Sequence, residues 1–183
     1  MAEAEDPICI AFEGPRRIAS GPLADIRPAV QAAMARGAEK LLVFDAETSR
    51  PVEIAPAGAP AAASVSPKRG PGRPKLGVVA REVTLLPRHW EWLARQPGGA
   101  SVALRRLVEE ARRSAAGADD VRAARDATYR FIYAMGGDFP GFEEASRALF
   151  RGDRLGFLEH LAAWPADVRD HARALADRSL AAR

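Results

Sequence analysis

The sequence is poor in the residues that build disulfide or metal-stabilised scaffolds. Cys9 is the only cysteine among 183 residues, so neither an intramolecular disulfide nor a cysteine-based zinc site can form. The three histidines, His89, His160 and His171, lack the spacing of metal ligands. We therefore predict a protein of a reducing compartment that uses no metal and no cofactor.

The sequence also lacks the segments that mark membrane and secreted proteins. No apolar run reaches the roughly 18 residues that a membrane-spanning helix needs. The acidic start, MAEAEDP, differs from the basic start and apolar centre of a signal peptide, which favours a cytoplasmic location. No catalytic constellation is found either, so we do not expect an enzyme.

Positive charge is concentrated in the central third of the chain, although the net charge is only +3. Counting Lys and Arg against Asp and Glu gives −3 for residues 1–54 and −1 for residues 114–183, whereas residues 55–80 carry +4 and residues 81–113 carry +3. A localised basic region is typical of proteins that bind a polyanion such as double-stranded DNA. A solvated linker that happens to be basic is the alternative.

The N-terminal segment, residues 7–54, predicts a small ββαββ unit. Apolar runs bounded by turn residues favour strands, and apolar side chains at steps of three and four favour one helix. A single helix over a four-stranded sheet can bury a modest core. The predicted elements are strands at 8–12 and 16–20, a helix at 22–35, and strands at 40–45 and 51–54.

Residues 55–77 predict a disordered basic linker. Its first part contains Ala, Pro, Gly and Ser without any charge, and such a composition cannot bury enough apolar surface to fold. Its second part, residues 68–75, reads KRGPGRPK. The four cations of this segment are predicted DNA contacts: Lys68, Arg69, Arg73 and Lys75.

The segment 68–75 resembles the AT-hook, a minor-groove binding peptide with Arg-Gly-Arg-Pro at its centre. The matching residues are Gly72-Arg73-Pro74-Lys75, and Pro71 stands in place of the first core arginine. The resemblance implies binding to A·T-rich DNA, whose narrow and strongly negative minor groove attracts an inserted guanidinium. General attraction to phosphates is the alternative.

Residues 78–114 predict a strand, a short helix, a turn and a longer helix. A short apolar run ends at Pro87, and a first helical pattern follows at 89–96. Glycines at 98 and 99 break this pattern, and Ser101 is a suitable N-cap for a second helix at 101–113. A module of this size cannot cover its apolar side chains within one chain, so we expect a homodimer. The predicted dimer contacts are Val83, Leu85, Trp90, Leu93, Leu104 and Leu107.

This layout resembles the ribbon-helix-helix DNA-binding fold, through Leu86-Pro87 and the Gly99-Ala100-Ser101 turn. The resemblance implies that two chains pair their strands into a ribbon that enters the major groove. Backbone N–H groups at the start of the second helix would hold a phosphate. The alternative is an ordinary helical hairpin that does not bind DNA. The predicted DNA contacts are Arg81, Thr84, Ser101, Arg105 and Arg106.

Residues 118–183 predict a small helical bundle. Four helical patterns follow one another, separated by Gly136-Gly137, by Gly152-Asp153 and by Trp164-Pro165. Asp153 is expected to cap the third helix. Bundles of this kind commonly mediate self-association or partner binding, but the sequence does not identify a partner or ligand for this segment or for the N-terminal unit.

The chain also resembles an uncharacterised bacterial family of unknown function (DUF2239). The resemblance lies in GRPKLGVV at 72–79, REVTLLPRHWEWL at 81–93 and GGASVALRRLVEEAR at 98–112. It implies no activity.

Together these patterns predict an α+β fold and a homodimeric bacterial DNA-binding protein of the cytoplasm or nucleoid. A transcriptional regulator and a nucleoid-associated protein both fit. The alternative function is a non-enzymatic scaffold for protein interactions, in which the central module only dimerises.

Overall fold

The structure is a computed structural model that describes residues 6–55, 79 and 81–180. These residues form two compact units. The first, which we call the sheet–helix unit, combines the residues up to 60 with those from 117 onwards. The second, the central unit, spans residues 61–116 and is inserted between the two parts of the first along the sequence.

The sheet–helix unit begins with the predicted ββαβ order. Strand β1 (Ile8–Glu13) turns at Gly14 into β2 (Arg16–Pro22), helix α1 (Leu23–Ala35) follows, and β3 (Leu41–Asp45) completes the sheet. The order across the sheet is β2-β1-β3, and both strand pairs are antiparallel. Gly14 has a φ of 54°, a left-handed conformation that glycine adopts without steric cost.

The fourth strand, predicted at 51–54, is reduced to a short contact with β3. Pro51 forms an isolated bridge with Phe44, and the Val52 N–H donates to the Val43 carbonyl at 2.8 Å. Pro51 lies at a non-hydrogen-bonded position of this pairing, because the flanking Val52 N–H and Arg50 carbonyl make the two hydrogen bonds to β3. The described part of the sheet therefore has three strands rather than four.

The helices of the second half of the chain agree with the sequence patterns except in α3, at its start and near Gly117. Helix α3 is continuous for 38 residues, where the sequence predicted one helix ending near 113 and another beginning near 121. Gly117 costs only about 1 kcal/mol in a helix interior relative to alanine, and no proline lies near it to break the helix. The helices are α2 (Pro87–Ala94), α3 (Gly99–Gly136), α4 (Phe142–Arg151), α5 (Arg154–His160) and α6 (Ala166–Leu180).

The predicted C-terminal end of α4 and the predicted N-terminal start of α5 are confirmed. Gly152 follows α4 in the left-handed conformation, with a φ of 75°. The Asp153 Oδ1 accepts a hydrogen bond from the Gly156 N–H at 2.9 Å and so caps the first turn of α5.

Both faces of the sheet are covered by helices. Cys9 and Ala11 point to one face and pack in a cluster with Ile26 and Val30 of α1. Alternate residues point to the other face, where they share a core with the C-terminal helices. That core includes Ile10, Phe12, Phe44, Phe131, Ile132, Leu149, Phe157, Leu161 and Val168. The sequence predicted two separate units, one at 7–54 and a helical bundle at 118–183. In the structure, helices of the second segment cover the sheet of the first, and the two share one core.

His171 of α6 lies among the aromatic rings of this core. Its ring lies 5.9 Å from the Phe12 ring and 4.6 Å from the Phe131 ring, between centroids. Its Nε2 is buried and has no hydrogen-bond partner among the described residues. Burial, together with the nearby positive charge of Arg17, lowers the pKa of His171 to about 4. The ring is therefore neutral in the folded protein at neutral pH.

We expect this histidine to destabilise the fold in mild acid. The unfolded chain takes up the proton near pH 6.5, whereas the folded chain resists it until about pH 4. The contribution of neutral His171 to the free energy of unfolding is fully present above the unfolded pKa of 6.5. It decreases as the pH falls, by about 2 kcal/mol between pH 7 and pH 5. Urea unfolding of the wild type and of His171→Phe measures this loss.

Between pH 7 and pH 5, the free energy of unfolding of His171→Phe should fall by about 2 kcal/mol less than that of the wild type. His160→Gln is the matched control, since it removes a histidine outside the core and should keep the wild-type dependence. Equal pH dependence in all three proteins would contradict the account.

Candidate nucleic-acid interface

The central unit has almost no core of its own. Leu93 of α2 and Ala103 of α3 are its only buried hydrophobic residues among those described. The sheet–helix unit, by contrast, buries large side chains on both faces of its sheet. A folded segment that buries two apolar side chains is far from the burial that independent stability requires.

Large apolar side chains of the central unit face outwards instead. Eight of them have between 39% and 70% of their surface exposed. A monomeric protein rarely exposes so many close in sequence, and such surfaces commonly contact another protein. The eight are Val79, Val83, Leu86, Trp90, Trp92, Val102, Leu107 and Val108.

Residues at both ends of the short helix α2 determine where it begins and where the chain turns after it. Leu86 is extended, with a ψ of 149°, and Pro87 then occupies the first turn, where its missing N–H is harmless. Gly98 and Gly99 have φ values of 82° and 74°. These left-handed residues turn the chain, so that α3 begins at Gly99.

The turn places α2 beside α3 and leaves an apolar hollow between them. The hollow has a volume of about 260 Å³. Its lining comes from both helices and from the segment that precedes α2. The lining residues are Leu85, His89, Trp92, Leu93, Leu104 and Leu107.

The predicted dimer contacts differ in their surroundings. Leu85 and Leu104 are half-buried and line the hollow together with exposed Leu107. Val83 and Trp90 are exposed. Leu93, which was also predicted as a dimer contact, is buried within its own chain.

The predicted strand at 83–87 is not present within this single chain. Residues 81–86 form neither helix nor strand. In a ribbon-helix-helix dimer, the partner chain supplies the hydrogen bonds of that strand. The ribbon therefore remains a prediction.

Between residues 101 and 113 of helix α3, the arginines lie on the side opposite Leu104 and Leu107, although the exposed Val102 shares the arginine side. At 100° per residue, Arg105 and Arg106 lie away from Leu104 and Leu107. Arg112 and Arg113 repeat the arrangement seven residues later, on nearly the same face. All four arginines are exposed.

One carboxylate lies on this arginine face. Arg112 pairs with Glu109 at 3.0 Å, and the Arg113 Nε donates to the Glu109 carbonyl at 3.2 Å. The Arg105 Nε donates to the Ser101 carbonyl at 3.1 Å. Three of the four positive charges are therefore not neutralised by an ion pair with a described residue, and the face is available to an anion.

The predicted DNA contacts fall into three groups. Arg81 and Thr84 are exposed in the segment before α2, and Arg105 and Arg106 are exposed on α3. Ser101 is exposed but does not cap α3, since the helix begins two residues earlier, at Gly99. The hook cations lie outside the described residues: Lys68, Arg69, Arg73 and Lys75.

Sequence reasoning missed two pairs of residues at this surface. Arg112 and Arg113 extend the arginine face by two turns, and the seven-residue repeat of the Arg-Arg pair was a usable signal. Trp92 and Val108 belong to the exposed apolar surface. Their exposure has no sequence signal, because an apolar side chain on a helix is usually buried.

The described residues show no metal site and no membrane span. No group of three or more His, Cys, Asp and Glu in residues 6–55 and 81–180 could hold a metal ion. None of the helices α1 to α6 is both long and apolar enough to cross a membrane.

The family match covers nearly the whole chain. A bacterial family described as "uncharacterized protein conserved in bacteria (DUF2239)" matches residues 8–176. The chain belongs to this family. The match begins in β1 and ends in α6, so both units of this DUF2239 protein are included. No curated protein and no solved structure matches the chain.

We expect Val108→Glu to separate the predicted dimer into monomers. Val108 is 61% exposed in the single chain, so a glutamate there can stay hydrated in the monomer. In a dimer that covers this face, the charge would lose its hydration, and a helix ion pair with the exposed Arg112 would offset this cost only in part. Dimer affinity should fall by at least about 100-fold. Sedimentation equilibrium at micromolar concentrations measures the change.

Leu155→Glu is the matched control, because Leu155 is 78% exposed but lies in the sheet–helix unit. This variant should associate as strongly as the wild type. A monomeric wild type, or equal association by both variants, would contradict the predicted interface.

Proposed function

We propose that this DUF2239 protein is a homodimeric bacterial protein that binds double-stranded DNA, as a transcriptional regulator or a nucleoid-associated protein. One observation carries the proposal: the N-terminal part of α3 has four exposed arginines on one face and the exposed apolar residues Leu107 and Val108 outside that face. The apolar residues would form the dimer interface, and the arginines would bind the phosphates of the DNA.

The dimer part of the proposal rests on the exposed apolar side chains. Trp90, Trp92 and Val108 are each more than 40% exposed in the single chain. Covering apolar surface contributes about 25 cal/mol per Å². Tryptophans are also the residues that most often dominate protein interfaces. A second copy supplies a surface of the same chemistry, as a twofold interface requires.

The DNA part of the proposal rests on charge. Arg105 and Arg106 carry positive charge nearly two turns into α3, and Arg112 and Arg113 continue it. The segment 68–75 adds four cations, with no acidic residue between 55 and 80. A dimer doubles both sets. Neutralising phosphates with such groups releases counterions, which is the main source of non-specific DNA affinity.

The resemblance of 68–75 to the AT-hook supports a preference for A·T-rich DNA. Arg73 lies between Gly72 and Pro74, where glycine permits close approach to the groove and proline keeps the backbone extended. A guanidinium inserted there would respond to the width and potential of the minor groove.

We expect the affinity for duplex DNA to fall steeply with salt. Each phosphate neutralised contributes about −0.9 to the slope of log affinity against log salt, so a dimer with incomplete engagement of its cations should give roughly −4 to −7. Fluorescence anisotropy with a labelled duplex, over a series of salt concentrations, measures the slope.

Deleting residues 66–76 should reduce this slope by about half, because the four cations of the segment are removed from each chain. Deleting residues 56–66 is the matched control, since it removes the same length of chain without any charge. If the intact protein does not bind DNA at about 50 mM salt, where the electrostatic attraction is strong, the DNA function is wrong. The dimerising scaffold would then be the better account.

A further inference from the structure

A groove of about 590 Å³ lies in the sheet–helix unit, where β1 turns into β2. One wall comes from the Gly14-Pro15 turn, from Lys40 just before β3 and from Leu42 within β3. The other wall comes from the end of α3, the loop after it and the start of α4. That wall consists of Tyr133, Ala134, Met135, Gly137, Asp138, Phe139, Phe142 and Glu143, with Pro165 at its edge.

An exposed tyrosine dominates the helical wall. Tyr133 has 65% of its surface exposed, a large fraction for an aromatic residue. Its ring is nevertheless supported on two sides, with centroids 6.0 Å from Tyr129 and 6.2 Å from Phe142. The ring therefore offers a surface to a ligand without first having to be ordered.

The loop beneath this wall is held in place by tryptophan. Phe139 packs edge-on against Trp164 at 5.3 Å, and the Trp164 Nε1 donates to the Pro140 carbonyl at 2.8 Å. A Cβ on Gly136 would come within 2.5 Å of the Trp164 ring, so only glycine fits this contact. These contacts keep the groove in its shape before a ligand arrives, which lowers the entropic cost of binding.

Two carboxylates at the groove lack a cationic partner. Asp138 and Glu143 form no ion pair or hydrogen bond through their side chains with any described residue, whereas the adjacent Glu144 pairs with Arg147 at 3.6 Å. Lys40 is the single cation among the lining residues. The groove therefore presents unpaired negative charge beside an exposed aromatic ring.

We propose that this groove binds an extended peptide segment of a partner protein in which arginine and proline recur. Proline-rich segments are extended before they bind, and grooves lined by aromatic and proline side chains recognise them. An arginine guanidinium stacks on an aromatic face and pairs with carboxylates at the same time. Tyr133, Asp138 and Glu143 supply these two features.

The charges also exclude some other ligands. Asp138 and Glu143 repel nucleic acid, so this groove is separate from the proposed DNA surface. Lys40 on the facing wall disfavours an unbroken run of cations and favours arginines spaced by neutral residues. The inference does not depend on the DNA function.

The test uses the full chain and fluorescein-labelled synthetic peptides in fluorescence anisotropy. A peptide of repeated Arg-Pro-Pro should bind saturably. A Glu-Pro-Pro repeat keeps the extended conformation but reverses the charge, and an Arg-Gly-Gly repeat keeps the charge but loses the conformation. Each should bind at least about tenfold more weakly.

Variants of the groove identify the residues that bind. Tyr133→Ala should weaken Arg-Pro-Pro binding by roughly tenfold, and Glu143→Gln by at least about threefold. Glu144→Gln is the matched control, because it removes the neighbouring carboxylate that lies outside the groove, and should change affinity by less than about twofold. Equal thermal unfolding of the three variants checks that the fold is kept.

The proposal is overturned if Arg-Pro-Pro shows no saturable binding at millimolar concentration. It is also overturned if the three peptides bind equally, or if Tyr133→Ala and Glu143→Gln both bind like the wild type.

Discussion

The central constraint on this protein is an apolar surface that one chain cannot cover. The central unit is too small to enclose its own apolar side chains, and of these only Leu93 and Ala103 are buried among the described residues. Trp90, Trp92 and Val108 remain in contact with water. In the proposed dimer, a second copy would cover these side chains and would also bring a second set of arginines. Association and DNA binding would then have the same structural origin.

The sheet–helix unit solves the same problem within one chain. Its middle strand, β1, is buried on both faces: Cys9 and Ala11 pack towards α1, while Ile10 and Phe12 pack towards the C-terminal helices. Neither the N-terminal nor the C-terminal part of the sequence would cover both faces alone. The core therefore depends on contacts between residues far apart in sequence, such as the tilted packing of the His171 ring against the Phe12 ring.

Local sequence patterns were sufficient for most elements and insufficient for their assembly. The strands β1 to β3, helix α1, the Asp153 cap and the Gly152 end were predicted because hydrophobic periodicity and capping act over a few residues. The sharing of one core by the two ends of the chain was missed, since periodicity shows that a face is apolar but not what it packs against. At Gly117 and Ser101 the prediction was wrong for a related reason: propensity gives a preference, and neighbouring residues decide whether a helix continues or begins elsewhere.

The candidate interface was predicted in part. The basic and apolar character of residues 81–113 and the position of the arginines outside the apolar stripe follow from the helical pattern, whereas the exposed fraction of each apolar side chain needs the structure. The claim that this segment joins two chains on one duplex is tested most directly by native mass spectrometry of the full chain with a short A·T-rich duplex. The account predicts a complex of two chains and one duplex. A complex of one chain and one duplex, or free protein and free duplex only, would contradict it.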